Sequence, residues 1–120
     1  MGRFKLKLRK SDTLFSRYIR RGGKCEICGR SDIKLEAAHY FSRGKESTRF
    51  DERNVHCLDY TCHRKSHEGD TCYKDFMLSK YGQDGLDRLE FLSNQYQKRD
   101  DVMSLLYCQA LLKESSPGSK

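Results

Sequence analysis

The stretch that decides the reading of this chain opens with Cys25-Glu26-Ile27-Cys28-Gly29, passes Ala38-His39-Tyr40 and Asn54, and closes on Cys62-His63 and His67. Structural Zn²⁺ takes four ligands in tetrahedral geometry, most often thiolates, and a Cys-x-x-Cys pair supplies two of them. Cys25 and Cys28 form that pair, and Cys62 is the third candidate. The fourth is either Cys57 or Asp59, of which Asp59 preserves the spacing of the first pair. A thiolate suits a structural zinc site better than a lone carboxylate, which favours Cys57. Cys72 and Cys108 fall on predicted helices and read as small buried hydrophobes.

A chain of 120 residues makes one domain, and 36% hydrophobic against 34% charged content leaves a modest core that a metal staple would reinforce. No apolar run approaches the ~20 residues that span a bilayer, and no leader pattern is seen, so a soluble cytoplasmic protein with no membrane partner is expected. In a reducing compartment, paired cysteines serve as metal ligands rather than disulfides. The formal net charge of +7 and pI near 9.2 fit a nucleic-acid partner, because clustered Lys and Arg release counterions from phosphates.

Residues 1–12 form a basic arm in which Arg3, Lys5, Lys7, Arg9 and Lys10 interleave with Phe4, Leu6 and Leu8. Residues 13–114 form the folded domain and 115–120 a polar tail. Ser11 or Asp12 caps a helix with the apolar face Leu14, Phe15, Tyr18 and Ile19, which Gly22-Gly23 ends. A short strand over 33–40 carries His39 near its end, a polar loop runs from Phe41 to Arg53, and a second strand covers 54–58. Helices are predicted from Cys62 through His67, from Thr71 to a stop at Gly82, and from about Asp84 with Leu86, Leu89, Leu92 and Tyr96 on one face. A last helix opens near Asp100 and puts Val102, Leu105, Leu106 and Leu112 on one side, as core or as a dimer surface.

The histidines carry the candidate chemistry. His39 stands apart and suits a general base, since imidazole titrates near neutrality. His63 and His67 are four residues apart on a helix, so both imidazoles can reach one divalent ion. A base that activates water, with an ion that stabilises charge on phosphate and leaving oxygen, is the equipment of phosphodiester hydrolysis.

With these residues in view, the chain resembles the HNH (ββα-metal) endonucleases through Ala38-His39, Asn54 and Cys62-His63. Within them, Leu14-Phe15-Ser16-Arg17-Tyr18-Ile19-Arg20, Cys25-Glu26-Ile27-Cys28-Gly29, Ala38-His39-Tyr40 and Arg49-Phe50-Asp51-Glu52-Arg53-Asn54 look like the phage recombination endonuclease group known as NinG or Rap. The resemblance implies a small α+β zinc-stapled ββα-metal core with flanking α-helices. It further implies His39 as the water-activating base, Asn54 as the brace of the inter-strand loop, His63 as ligand of a catalytic Mg²⁺, Mn²⁺ or Zn²⁺, and His67 as an additional ligand. Two positions depart from the pattern. Ala38 stands where many HNH enzymes carry a ligating Asp or His, so either Glu36 reaches the ion or water and substrate phosphate complete it; Asp59 stands where the common pattern has a Cys.

Arg43, Lys45, Arg49, Arg53, Arg64 and Lys65 surround the site in sequence and are the candidate phosphate contacts, which would hold DNA without reading bases. The expected function is a divalent-metal-dependent DNA endonuclease, phage-encoded and working in the host cytoplasm on duplex or branched DNA, with a homodimer as one arrangement. The alternative is a non-catalytic zinc-finger module that binds nucleic acid within a recombination or packaging complex. A third reading is an interaction protein assembled through the C-terminal helices.

Overall fold

Two short strands and four helices account for the residues that the computed structural model describes, 8–115. Arg3, Lys5 and Lys7 of the basic arm, and residues 116–120 of the polar tail, lie outside them. The order is α1 (Lys10–Ile19), β1 (Leu35–His39), β2 (Val55–Asp59), α2 (Tyr60–His67), α3 (Cys72–Ser93) and α4 (Asp101–Ser115), with single 3₁₀ turns at Arg20–Gly22 and Glu46–Thr48.

β1 and β2 pair antiparallel, with Leu35 opposite Asp59, Ala37 opposite Cys57 and His39 opposite Val55. A two-stranded hairpin is marginal alone, and here helices cover both faces. Alternation along the strands sends Ala38 and Leu58 into one cluster with Cys25 and with Tyr73, Met77, Leu86 and Leu89 of α3. Val55 and Cys57 turn the other way, into a cluster with Phe15, Tyr18 and Ile19 of α1 and Cys108 of α4. The result is a small α+β fold in which helices pack on both faces of a two-stranded sheet.

Helix α1 starts earlier than its sequence signals suggest. Arg9 is the cap residue, and Asp12 sits inside the first turn, where its Oδ2 accepts from the Arg9 backbone N–H at 2.7 Å. The Arg9 guanidinium is also held by both carboxylate oxygens of Glu46, at 3.0 and 2.8 Å. The helix therefore begins at Lys10, where the loop after β1 supplies an acid that anchors Arg9. The chain leaves the following 3₁₀ turn at Gly23, as the Gly22-Gly23 stop implies.

The two helical stretches expected on either side of Gly82 are present within α3, where Gly82 breaks the helical geometry at φ 74°, ψ 170°. That left-handed conformation costs glycine little and other residues much. The second half stops at Ser93, so Tyr96, expected on its apolar face, stands in solvent at 89% exposure. Helix α4 differs more. Cys108 is its buried residue and Leu111 and Leu112 pack beside it, whereas Val102 and Leu106 are 69% and 53% exposed. The helix is apolar all round, so periodicity could not select the face that packs on α1.

Arg49 forms a buried ion pair with Asp12. Its Nε donates to Asp12 Oδ1 at 2.9 Å and its terminal amino group to Asp12 Oδ2 at 2.5 Å, with both side chains at most 5% exposed. Burial alone would raise the Asp12 pKa, but Arg49 and the Arg9 amide hold it below the usual carboxylate value. Removing one partner leaves a buried charge unpaired, so Asp12→Asn or Arg49→Met should each lower unfolding stability by about 3–5 kcal/mol. The double change to Asp12→Leu and Arg49→Met should recover much of that loss. Urea unfolding of the three variants at neutral pH checks this.

Candidate functional site

The first constellation forms where the Cys25–Cys28 turn meets the junction of β2 and α2. Gly29, at φ 79°, closes the turn with its N–H on the Cys25 carbonyl at 2.9 Å. The Glu26 N–H bonds the Cys57 carbonyl at 2.8 Å and the Cys57 N–H bonds the Glu26 carboxylate at 3.0 Å, so the turn is stitched to β2. One ligand atom from each of Cys25, Cys28, Asp59 and Cys62 lies within 4.8 Å of the others. Four ligands at about 2.0–2.3 Å from a tetrahedral ion stand under ~4 Å apart, so the cluster can hold a structural metal such as zinc.

The fourth member is Asp59, which corrects the preference for Cys57. Both belong to β2, but Cys57 lies two residues back, about 6.6 Å along a strand. Its side chain is 1% exposed among Phe15, Tyr18, Ile19, Val55 and Cys108. Asp59 instead ends the strand and caps α2. Its Oδ1 accepts from the Cys62 N–H at 2.7 Å while its Oδ2 lies 2.7 Å from Cys28 Sγ. Asp59 is fully buried. Burial works to raise its pKa, yet the bonds from Cys28 and the Cys62 amide leave it lowered. The Cys62 thiol is pushed far up by burial and by Cys28, Cys25 and Asp59 around it. A buried carboxylate among crowded thiols favours a cation, which would balance the carboxylate's charge and draw off the thiol protons. The donor set fits zinc on that ground.

The second constellation is built from histidines. β1 places His39 at its end, where Nε2 donates to the Arg49 carbonyl at 2.9 Å. A carbonyl only accepts, so Nε2 carries the proton and Nδ1 the lone pair. Burial lowers the His39 pKa below 6.5; the Arg49 carbonyl and Asp12 oppose the shift, while Arg43 and Arg49 add to it. Asn54, fully buried, accepts from the Phe41 N–H at 2.7 Å and donates to the Phe41 and Thr48 carbonyls at 3.0 and 3.1 Å. One amide thus pins both ends of the loop that supplies Arg49.

On α2, His63 and His67 sit one turn apart with their Nε2 atoms 3.1 Å from each other. Two imidazoles sharing an ion at about 2.0–2.1 Å stand roughly 3 Å apart. Glu36 from β1 bonds His63 Nδ1 at 2.8 Å. It orients that histidine, with the far ring nitrogen turned to His67. His39 and His67 line one cleft of about 240 Å³, together with Tyr40, Ser66, Tyr73 and Lys74.

His56 received no role from its sequence context and proves to be structural. The Tyr73 hydroxyl donates to the Ala38 carbonyl at 2.7 Å and so accepts from His56 Nδ1 at 3.0 Å, while Tyr81 donates to His56 Nε2 at 2.8 Å. Burial lowers its pKa to about 4, consistent with a neutral ring. This chain of bonds locks β1 to α3 one residue before His39. Nothing in the spacing of Tyr73 and Tyr81 announces it.

A family model described as the bacteriophage Lambda NinG protein matches residues 3–114. The chain belongs to the NinG family. No curated protein and no solved structure matches it. The match spans both constellations of this NinG-family chain and the helices around them.

Among the candidate phosphate contacts, Arg49 is corrected to a core residue, since it is 3% exposed and paired with Asp12. Lys45 bonds Asn94 at 2.8 Å and Arg53 pairs with Asp51. Arg43 gives its carbonyl to Arg49 at 3.1 Å. Arg64 and Lys65 are exposed on α2, with Arg64 lying 5.7 Å over the Tyr60 ring.

Zinc content after dialysis separates the two candidates for the fourth ligand. Asp59→Asn keeps an oxygen for the α2 cap but removes the charge, and the protein should lose zinc. Cys57→Ala should retain one zinc per chain while losing about 1 kcal/mol of stability.

Proposed function

We propose that this NinG-family protein is a divalent-metal-dependent DNA endonuclease of the HNH type, acting in phage DNA recombination or processing on duplex or branched DNA. The observation that carries the reading is the cleft shared by His39, whose Nε2 bond leaves Nδ1 as the basic nitrogen, and His67 of the Nε2-to-Nε2 pair. A hairpin with His39 at the end of the first strand, an amide bracing the loop and two imidazoles on the following helix support the ββα arrangement that the resemblance implies.

In the proposed mechanism His39 Nδ1 accepts a proton from the attacking water, and the Arg49 carbonyl holds the ring in the tautomer that makes this possible. Burial keeps the imidazole neutral, the form that a base requires. Asn54 keeps the Phe41–Thr48 span from drifting, and with it the carbonyl that orients His39. His63 and His67 would hold a divalent ion, with Glu36 fixing the His63 ring. When bound, that ion supplies charge stabilisation at the phosphate and the leaving 3′ oxygen. The Cys25, Cys28, Asp59 and Cys62 cluster would bind structural zinc away from the chemistry.

Cleavage of supercoiled plasmid and of a labelled branched duplex with Mg²⁺, Mn²⁺ or EDTA tests this. Metal-dependent cutting is expected, and His39→Ala should lower its rate by about 10²–10⁴-fold while zinc content is unchanged. A wild-type protein that binds DNA without cutting it under any metal would instead support the zinc-finger module.

The pH dependence follows from the direction of the His39 shift. The base works only when neutral, and a pKa depressed by burial keeps it neutral to lower pH. The acid limb of the rate profile assigned to His39 should therefore fall below pH 6.5, the ordinary histidine value. Single-turnover cleavage across pH 5–8 at saturating metal, the span over which histidine charge changes, locates that limb.

A further inference from the structure

The loop after β1 looked basic in sequence, but the cleft beside it is lined by Glu46, Asp51 and Glu52, with Arg53 already paired to Asp51. Glu46 is in turn paired with Arg9, so cations at that cleft are taken up by its acids. At the His63–Glu36 pair two cations, Arg20 and Lys34, face one acid. A cleft of about 440 Å³ is lined there by Ser16 and Arg20 from α1 and the turn after it, by Lys34, and by Glu36 and His63. Arg20 Nε donates to Ser16 Oγ at 3.0 Å, which uses one of the five guanidinium donors and steadies the group. The Lys34 side chain is 75% exposed, with Nζ 3.6 Å from Glu36 Oε2. Its carbonyl accepts from the Tyr60 N–H at 2.8 Å, so Lys34 is tied to the start of the helix that carries His63. Glu36 is the acid in this lining, and it is engaged by both His63 and Lys34.

We propose that this cleft is a phosphate subsite in which Arg20 and Lys34 bind a phosphodiester flanking the one presented to His63 and His67. The ligand class is the sugar–phosphate backbone of a polynucleotide strand. The lining holds no aromatic side chain on which a base would stack, which favours backbone over base. Cations on phosphate position a strand without reading it. The inference deepens the endonuclease reading and rests on its nucleic-acid partner. It moves the entry of the strand from the loop face to the α1 side of His63.

Fluorescence anisotropy tests it, with a labelled duplex titrated by the His39→Ala protein so that cutting does not interfere, at salt from about 50 to about 200 mM. Each phosphate contact contributes about 0.9 to the slope of log K against log salt. The pair Arg20→Gln and Lys34→Gln, which empties that one contact, should therefore flatten the slope by about 0.9. Arg88→Gln with Lys113→Gln removes the same charge from α3 and α4 and should leave the slope unchanged. Arg20→Lys, which keeps the charge, should retain the parent slope, and equal melting temperatures would confirm intact folds. An unchanged slope in the first pair, an equal fall in the second, or no binding by the parent would overturn the subsite. Plasmid cleavage by the wild type is read separately: cutting with an unaltered slope removes the subsite alone, and a flattened slope without cutting keeps the subsite and removes the nuclease.

Discussion

Asp59 joins three jobs in one buried carboxylate. It ends β2, accepts the Cys62 amide that opens α2, and brings an oxygen against Cys28 in the four-membered cluster. A carboxylate taken wholly out of water costs several kcal/mol unless hydrogen bonds and opposite charge surround it. The bonds from Cys28 and the Cys62 amide offset that cost, and the cluster around them could hold a cation that offsets more of it. Because α2 begins directly after Asp59, the same residue sets the rotation at which His63 and His67 leave the helix.

The candidate base depends on a second buried network. Asp12 of α1 holds Arg49, the Arg49 carbonyl holds His39, and Asn54 holds the loop between them. The His56, Tyr73 and Tyr81 bonds secure the other side of β1 at Ala38. Buried polar groups of this kind are satisfied together or not at all, so they specify one geometry in a chain with little apolar core. This explains how α1, remote in sequence from the histidines, bears on the candidate base: it supplies Asp12, the buried partner of Arg49.

Much of this was legible in the chain. Cys25, Cys28 and Cys62 were marked as ligands by residue type and the Cys-x-x-Cys spacing, and the cluster brings those three together. Both strands, the helix with His63 and His67, and the stop at Gly82 followed from alternation, i to i+4 spacing and glycine chemistry. Atom type alone favours Cys57 over Asp59 as a ligand, whereas the geometry turns on where the strand ends. Arg49 read as a phosphate contact because a loop arginine ordinarily faces solvent. Its buried partner, Asp12, lies far away in sequence, and no local pattern announces such a pair.

Sequence by itself determined what is local: which residues are able to ligate, which segments are strand or helix, and which imidazoles share a helical turn. These follow from side-chain chemistry and from backbone periods that operate over a few residues. Tertiary structure alone decided that Asp59 rather than Cys57 completes the cluster, that Glu36 orients His63, that His56 is locked between two tyrosines, and that Arg49 is buried against Asp12. Each of these depends on strand register and on which helix covers which face of the sheet. That choice is made by burying apolar surface across the whole chain, and short-range spacing carries no record of it.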